Sequence, residues 1–412
     1  MFRLIVYLRR LSRKLWVRVA LFAVLAIVSV LVSHLAAPLI PEALSGINDM
    51  IGPDAVTPIL SIIASSMLAV STFSLTTMVS AHRAAAATAT PRVLRLMTSD
   101  PTTHTVLATF IGAFVYALTA LILFYAGFGD GALVMLGVTL LVTLGVVVAL
   151  IRWIAHLTDL GTMDDALARA ENAAKSALTS FRKQPTLGAR ALTEAIIIPH
   201  DAQTLTAPVS GVLQMIDVEG LADCVQDGVW VLRRPGQVVL KGMPLAQFAG
   251  AAPGTEDALG DCFVIGNGRT FEQDPSFALT TLSEIASRAL SPAVNDPGTA
   301  IEVISRLERL LWDWALAARG EDDRQPRVYM PLLSTQQLVE AAFDAIGRDG
   351  AGMIEVCGHL LASLDMLGKS ADEGLAEAAQ VARRRAQAHA ERALTLEVDR
   401  QRLPRDSEAG PA

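Results

Sequence analysis

An α-helical membrane domain of four spans, followed by a larger α+β region of soluble character, is the fold class this sequence predicts, and three observations predict it. Four uninterrupted apolar stretches lie at about 19–40, 57–81, 105–126 and 131–151, each reaching the roughly 20 residues a helix needs to cross a hydrocarbon core of about 30 Å. None of them holds an Asp, Glu, Lys or Arg. The connections between them alternate in basic content, and beyond Arg152 short Val/Ile/Leu runs broken by glycine give way to long amphipathic stretches.

The basic residues set the orientation. The segment 1–18 carries Arg3, Arg9, Arg10, Arg13, Lys14 and Arg18, whereas the first connection has Glu42, Asp49 and Asp54 and no basic residue. Arg83, Arg92 and Arg95 occupy the second connection, the third is only Gly127-Phe128-Gly129-Asp130, and Arg152 follows span four. By the positive-inside rule both termini are expected in the cytoplasm. Span one is too long for the apolar core of a secretory signal, and its basic flank suits anionic lipid headgroups. Small residues Ala108, Gly112, Gly137 and Gly145 in spans three and four would permit close packing of a tight hairpin. Only His34 and His104 come near the spans as ionisable groups, and both lie towards span ends, which disfavours a proton relay or a voltage sensor.

Span two is chemically distinct. At 100° per residue Thr57, Ser61, Ser65, Thr72 and Thr76 fall in one stripe about 100° wide, interrupted by Leu68. Such a stripe serves close helix packing, with hydroxyls bonding back to their own helix, or it lines a water-facing path between subunits in which Leu68 is a hydrophobic constriction. The helix should continue inward through an alanine-rich stretch to a stop at Pro91. That places His82 and Arg83 at headgroup level, as interfacial anchors or as a coupling point to the soluble part.

The two parts differ in charge. Residues 1–152 carry 10 Lys and Arg against 5 Asp and Glu, and the remainder 24 against 36. An acidic soluble half argues against nucleic acid as a partner. Cys224, Cys262 and Cys357 are far apart in sequence with no Cys-x-x-Cys spacing, so neither a disulfide framework nor a zinc site is expected. No phosphate-binding or dinucleotide glycine motif occurs, and no cofactor is expected.

Residues 153–190 read as a helical connector and 191–250 as a small β-domain. Ser210-Gly211-Val-Leu, Arg234-Pro-Gly236-Gln-Val-Val and Lys241-Gly242-Met-Pro-Leu245-Ala resemble the barrel-sandwich fold of biotinyl, lipoyl and membrane-fusion adaptor domains. The central stretch 217–228 has no lysine to bear a swinging cofactor, which argues against a carrier role. Residues 251–403 read as helical. Arg383-Arg384-Arg385 in the last long helix should be a solvated face, and 404–412 a disordered tail.

The densest polar constellation comprises Arg269, Glu272, Asp274, Glu284, Arg288, Asn295 and Asp296. Asp274 and Asp296 each precede proline and can cap a helix whose first turn holds it, and Asn295 suits a turn. If the two helices fold back as a hairpin, these residues could instead converge to bind a small anion or metal, or to join subunits. No His, Cys or metal-ligand spacing accompanies them, so an enzyme is the least favoured reading.

Four segments carry a family resemblance. Thr72-Phe-Ser-Leu-Thr-Thr-Met-Val-Ser-Ala-His-Arg-Ala-Ala-Ala-Ala-Thr-Ala-Thr-Pro-Arg92, Thr109-Phe-Ile-Gly-Ala-Phe-Val-Tyr116, Arg269-Thr-Phe-Glu-Gln-Asp-Pro275 and Ala289-Leu-Ser-Pro-Ala-Val-Asn-Asp-Pro-Gly-Thr-Ala300 together resemble a bacterial family of predicted membrane proteins classed only as a domain of unknown function. The resemblance covers nearly the whole chain and implies a bacterial inner membrane, with no catalytic residue or cofactor to transfer. The function expected is an oligomeric, channel-like or permeation-regulating protein for an ion or small solute. The alternative is a membrane-anchored scaffold that binds a small anion or a cytoplasmic protein through the Arg269 to Asp296 region.

Overall fold

The computed structural model describes residues 14–35, 53–88, 90–98, 100–127, 132–158, 160–320 and 325–404. The basic segment up to residue 13, the end of span one beyond Leu35, the turn at 128–131 and the tail from 405 lie outside the described residues. The chain divides into two compact units, one up to Ala166 and one from Leu167 onward.

The first unit contains α1 (Leu15–Leu35), α2 (Pro53–Thr88), α3 (Pro91–Thr98), α4 (Pro101–Tyr125) and α5 (Ala132–Leu157). Of these, α1, α2, α4 and α5 are long and apolar enough to cross a membrane. The four are not equivalent in packing. Helix α4 is central, half of its apolar window being buried, and it packs against α1, α2 and α5. Its contacts are close because its inner face is small: Ala113, Ala117 and Ala120 are buried, and a Cβ added at Gly112 would lie 3.2 Å from Phe22 Cβ. Gly112 thus lets α4 approach α1. Gly137 and Gly145 of α5 face open space among the described residues, so they do not close the helix pair as the sequence suggested. Tyr116 fixes α4 to α5 instead, with its hydroxyl 3.0 Å from Thr139 Oγ1 and donating to the Met135 carbonyl at 3.2 Å.

The second unit begins within α6 (Met163–Lys183) and continues through β1 (Ala189–Ala191), β2 (Gln203–Thr206), β3 (Gly211–Ile216), α7 (Val218–Asp223), β4 (Val225–Val231), β5 (Val238–Val239), β6 (Pro244–Ala251), α8 (Glu256–Asp261) and β7 (Phe263–Gly266). It then runs through α9 (Pro275–Ala289), α10 (Pro297–Leu316), β8 (Gln325–Met330), α11 (Thr335–Asp349), α12 (Ile354–Leu367), α13 (Glu373–Ala393) and α14 (Glu397–Arg402).

The strands form a five-stranded sheet, β1-β8-β4-β6-β2, and a three-stranded sheet, β5-β3-β7. The described strands close no barrel. Strand β8, far along the chain, inserts between β1 and β4 and runs parallel to both. The sheet thus draws one of its strands from outside residues 191–250. The shared core holds Leu213, Val229, Val231, Val239, Leu245 and Phe263.

Helices α9 to α13 close a ring, α10 packing on α9, α9 on α11, α11 on α13, α13 on α12 and α12 on α10. The buried face of α13 is Leu375, Ala378, Ala379, Ala382, Ala386 and Ala390, at helical spacing. These small side chains let its neighbours come close, and a Cβ at Gly347 of α11 would touch Ala386 Cβ at 3.4 Å. Of the three consecutive arginines Arg384 is exposed, whereas Arg383 and Arg385 turn to protein partners. Arg383 is 4% exposed and donates to Asp365 at 2.5 Å and to the Pro404 carbonyl at 3.0 Å, and Arg385 pairs with Asp344 and Glu340 of α11.

Candidate functional site

The hydroxyl row of α2 points away from its own unit. The core-facing side of the helix is Val56, Leu60, Ile63, Met67 and Ser74, all buried. Ser61, Ser65, Thr72 and Thr76 are exposed, Leu68 among them is 53% exposed, and Thr57 at the start is half-buried. A helix with its apolar residues spaced three and four apart on one side must turn this second row outward. Most of these hydroxyls bond within the helix. Ser65 Oγ donates to the Ser61 carbonyl at 3.0 Å, Thr72 to Leu68 at 2.9 Å and Thr76 to Thr72 at 3.0 Å. Their donors are thereby satisfied, and lone pairs remain on the outer face. Further along, His82 is half-buried and Arg83 exposed.

The start of α4 carries a polar constellation that the sequence reading passed over. Asp100, 5% exposed, is the N-cap of α4 and accepts from the Thr102 and Thr103 amides at 3.2 and 3.1 Å. Its carboxylate also accepts from Thr103 Oγ1 at 2.5 Å and lies 2.7 Å from His156 Nε2 near the end of α5. Thr103 Oγ1 is 3.2 Å from the same nitrogen. Arg18 of α1 donates to the Pro101 carbonyl and to Thr105 Oγ1, each at 3.0 Å, so three apolar helices are tied together at one end by polar bonds. The signal was present: Asp100-Pro101 repeats the Asp-Pro helix start seen at Asp274-Pro275 and Asp296-Pro297.

In the second unit the seven polar residues singled out in the sequence do not converge. Asp274 caps the start of α9, accepting from the Phe277 amide at 3.1 Å, and Asp296 caps the start of α10 beside the end of α9, where its amide donates to Ala289 at 2.8 Å. The 15 residues of α9 lie between them, about 22 Å at 1.5 Å per residue.

Around Asp274 the geometry is tight. Arg269 binds it through both Nε and Nη2, at 2.7 and 2.8 Å, donates to Ser276 Oγ at 2.8 Å and stacks 5.0 Å above the Phe277 ring. Gly236, at φ +93°, brings backbone against the Asp274 carboxylate where a Cβ would collide. Gln273 anchors the same loop to β3 through the Ile216 amide and carbonyl, at 2.8 and 3.1 Å. Burial pulls the Arg234 guanidinium down to about 10, with Asp274 acting in the opposite sense. Glu272 borders a cavity of only about 20 Å³, room for a water at most. Arg269, Gln273 and Ser276 all bond to protein groups here, so the arrangement is a structural clasp.

Glu284 and Arg288 lie half-buried along α9, four residues apart. Asn295, at φ +51°, makes the exposed turn into α10, and Asp296 accepts from the Thr299 amide at 3.1 Å and its hydroxyl at 2.5 Å. Those two bonds hold the Asp296 carboxyl below its ordinary range. Cys262 and Cys357 are buried, and burial pushes their thiols up to about 12 and about 11 respectively. Thiols so placed stay protonated near neutrality and are poor nucleophiles. Among the described residues no group of three or more His, Cys, Asp or Glu side chains is placed to hold a metal ion.

Four helices long and apolar enough to cross a membrane, together with a second unit of two sheets and a helical ring, mark a membrane protein. The chain belongs to the family described as Predicted membrane protein (DUF2254), which matches residues 12–366. It is similar to uncharacterized proteins of Mycobacterium bovis (Mb1321c) and Mycobacterium tuberculosis (Rv1290c), each 37% identical over 139 residues, covering 31% of this chain and 27% of theirs. The chain thus matches little more than a quarter of the length of those relatives. No solved structure matches it.

Proposed function

We propose that this protein is a bacterial inner-membrane oligomer, with both termini in the cytoplasm, in which the hydroxyl face of α2 lines a passive path for an ion or small solute between copies. The second unit would govern assembly. The observation that carries this reading is the outward direction of the row: Ser61, Ser65, Thr72 and Thr76 meet none of their own unit's packed core. Lipid rewards apolar side chains, whereas small hydroxyl residues favour close approach of another helix or contact with water. Leu68 stands in line with the row and would narrow such a path. The orientation rests on the alternation of basic residues between the spans. Passive movement fits spans without Asp or Glu at membrane depth.

The second reading is a membrane-anchored ligand-binding or scaffold protein without transport. It is favoured by the return of Ser65, Thr72 and Thr76 to carbonyls of their own helix, which leaves no donor in need of water.

Cross-linking separates an interface from a lipid face. With the three native cysteines replaced by serine, Ser65→Cys and Thr72→Cys variants are expected to form disulfides between copies in native membranes under mild oxidation. A Leu144→Cys variant, on the exposed face of α5, is expected to remain uncoupled. Coupling at 144 with none at 65 or 72 would place the interface elsewhere.

A further inference from the structure

The sheet region repeats one short phrase at two helix-to-strand junctions. Leu221-Ala-Asp-Cys224-Val-Gln-Asp-Gly228 ends α7 and enters β4, and Leu259-Gly-Asp-Cys262-Phe-Val-Ile-Gly266 ends α8 and enters β7. Each cysteine is the C-cap of its helix, and its amide donates to the leucine carbonyl three residues back at 3.2 Å. The fold brings the two caps together. The Cys262 carbonyl accepts from the Asp217 amide at 2.9 Å, just before α7, and a Cβ added at Gly220 would lie 3.0 Å from Cys262 Sγ. Cys224 stands one turn beyond Gly220, hence on the same face of α7, and its thiol and that of Cys262 are hydrogen-bonding neighbours. Cys262 is 5% exposed and Cys224 half-buried, so the pair is reached from the Cys224 side.

The surroundings select what the pair can do. Residues 217–228 and 251–268 hold seven Asp and Glu and no Lys or Arg, and one guanidinium, that of Arg327 from β8, donates to the Val225 carbonyl at 3.2 Å. Burial is the main cause that raises both thiols. Asp217 acts on both in the same sense, joined by Asp223 at Cys224 and by Asp261 at Cys262. Such surroundings oppose the free thiolate that disulfide exchange needs, and they favour a bound cation, which deprotonates a coordinating thiol outright. Two thiols form a soft ligand pair. Among the described residues no further His, Cys, Asp or Glu is placed to join them, so the four ligands of a structural zinc site are not met. We propose that Cys224 and Cys262 bind one soft monovalent cation of the copper(I) type between their sulfurs. Two sulfur–metal bonds form, two S–H bonds break, both protons pass to solvent and no electron moves. The site is independent of whether α2 lines a path.

Copper(I) supplied as its bathocuproine disulfonate complex, offered without oxygen to the reduced full chain in detergent, reports transfer by loss of the chelate's colour. One ion per chain should transfer, with release of two protons into a weak buffer. Cys224→Ser, at the half-buried position, should fold with an unchanged melting temperature and bind about a hundredfold more weakly or worse, since one thiolate ligand is gone. Cys262→Ser should do the same, its hydroxyl keeping the contact to the Ala258 carbonyl that the thiol makes at 3.4 Å. A folded Cys357→Ser variant should take up copper(I) as the wild type does, and zinc(II) at equal concentration should not displace the ion. No transfer to the reduced wild type, wild-type affinity in either Cys224→Ser or Cys262→Ser, dependence on Cys357, release of fewer than two protons, or displacement by zinc(II) would overturn the proposal.

Discussion

Replacing Arg182 with alanine is expected to destabilise the second unit by about 3–5 kcal/mol, the usual cost of leaving a buried ion partner uncompensated. This one side chain ties α6 to the end of α10 and to the start of α13. From the last turn of α6 its Nε donates to the Ala317 carbonyl at 2.8 Å and its Nη2 to the Ala315 carbonyl at 2.7 Å, at the end of α10. Its Nη1 donates to Asp372 Oδ2 at 2.9 Å, and Asp372 in turn caps α13 through the Leu375 amide at 3.1 Å. The guanidinium also lies 4.9 Å from the Trp314 ring, which stacks on Phe181. Lysine cannot reproduce three divergent bonds from a planar group, so Arg182→Lys should recover only part of the loss.

For a unit of this size the alanine variant should melt roughly 10 °C lower. The difference should depend on pH. Burial works against the Asp372 charge, but the bonds from Arg182 and Leu375 outweigh it and hold the carboxyl below its ordinary 3.8. A folded pKa below the unfolded one gives stability that is complete above the ordinary value and is lost as pH falls through the folded value. The gap between wild type and Arg182→Ala, read by thermal denaturation, should therefore be widest near neutrality and narrow below about pH 4. A gap that is constant with pH would show that the pair is not the source.

Asp100→Ala should be the most damaging single change in the first unit, at about 2–3 kcal/mol, as it removes a helix cap and strands buried partners together. Thr103 and His156 would lose their shared acceptor, and the first amides of α4 their cap, at the helix on which the others pack. Asn caps nearly as well as Asp but cannot serve as an anion. Thermal unfolding in detergent is accordingly expected to rank wild type above Asp100→Asn and Asp100→Asn above Asp100→Ala. Equal melting of all three would deny the constellation its structural role.

The apolar helices were legible because burial in lipid imposes a composition and a length that a one-dimensional pattern carries in full. Their inequality was not, because which helix becomes central depends on small side chains meeting across space, as Gly112 meets Phe22. The glycines of α5 look alike in sequence and have no such partner among the described residues. Long-range pairing hid other features. Strand β8 reads locally as a short apolar run, with nothing in it to announce insertion between β1 and β4, and Arg383 finds Asp365 only after α12 and α13 have packed. The polar constellation of α9 and α10 was legible as caps, and both aspartates act as caps. Its convergence was not a local property: one helix of 15 residues lies between its ends.

At the centre of the account is the claim that the outward row of α2 faces a path between copies. Its most direct test is flux through liposomes containing the purified chain, measured across several ions, small neutral solutes and applied tension. The account predicts flux above that of empty liposomes, lowered about tenfold or more in a Ser65→Leu, Thr72→Leu variant and raised in Leu68→Ser, because widening a hydrophobic constriction relieves dewetting. A row that only packs helices would not make Leu68→Ser faster. Flux indistinguishable from empty liposomes under every condition, or unchanged in both variants, would contradict the account.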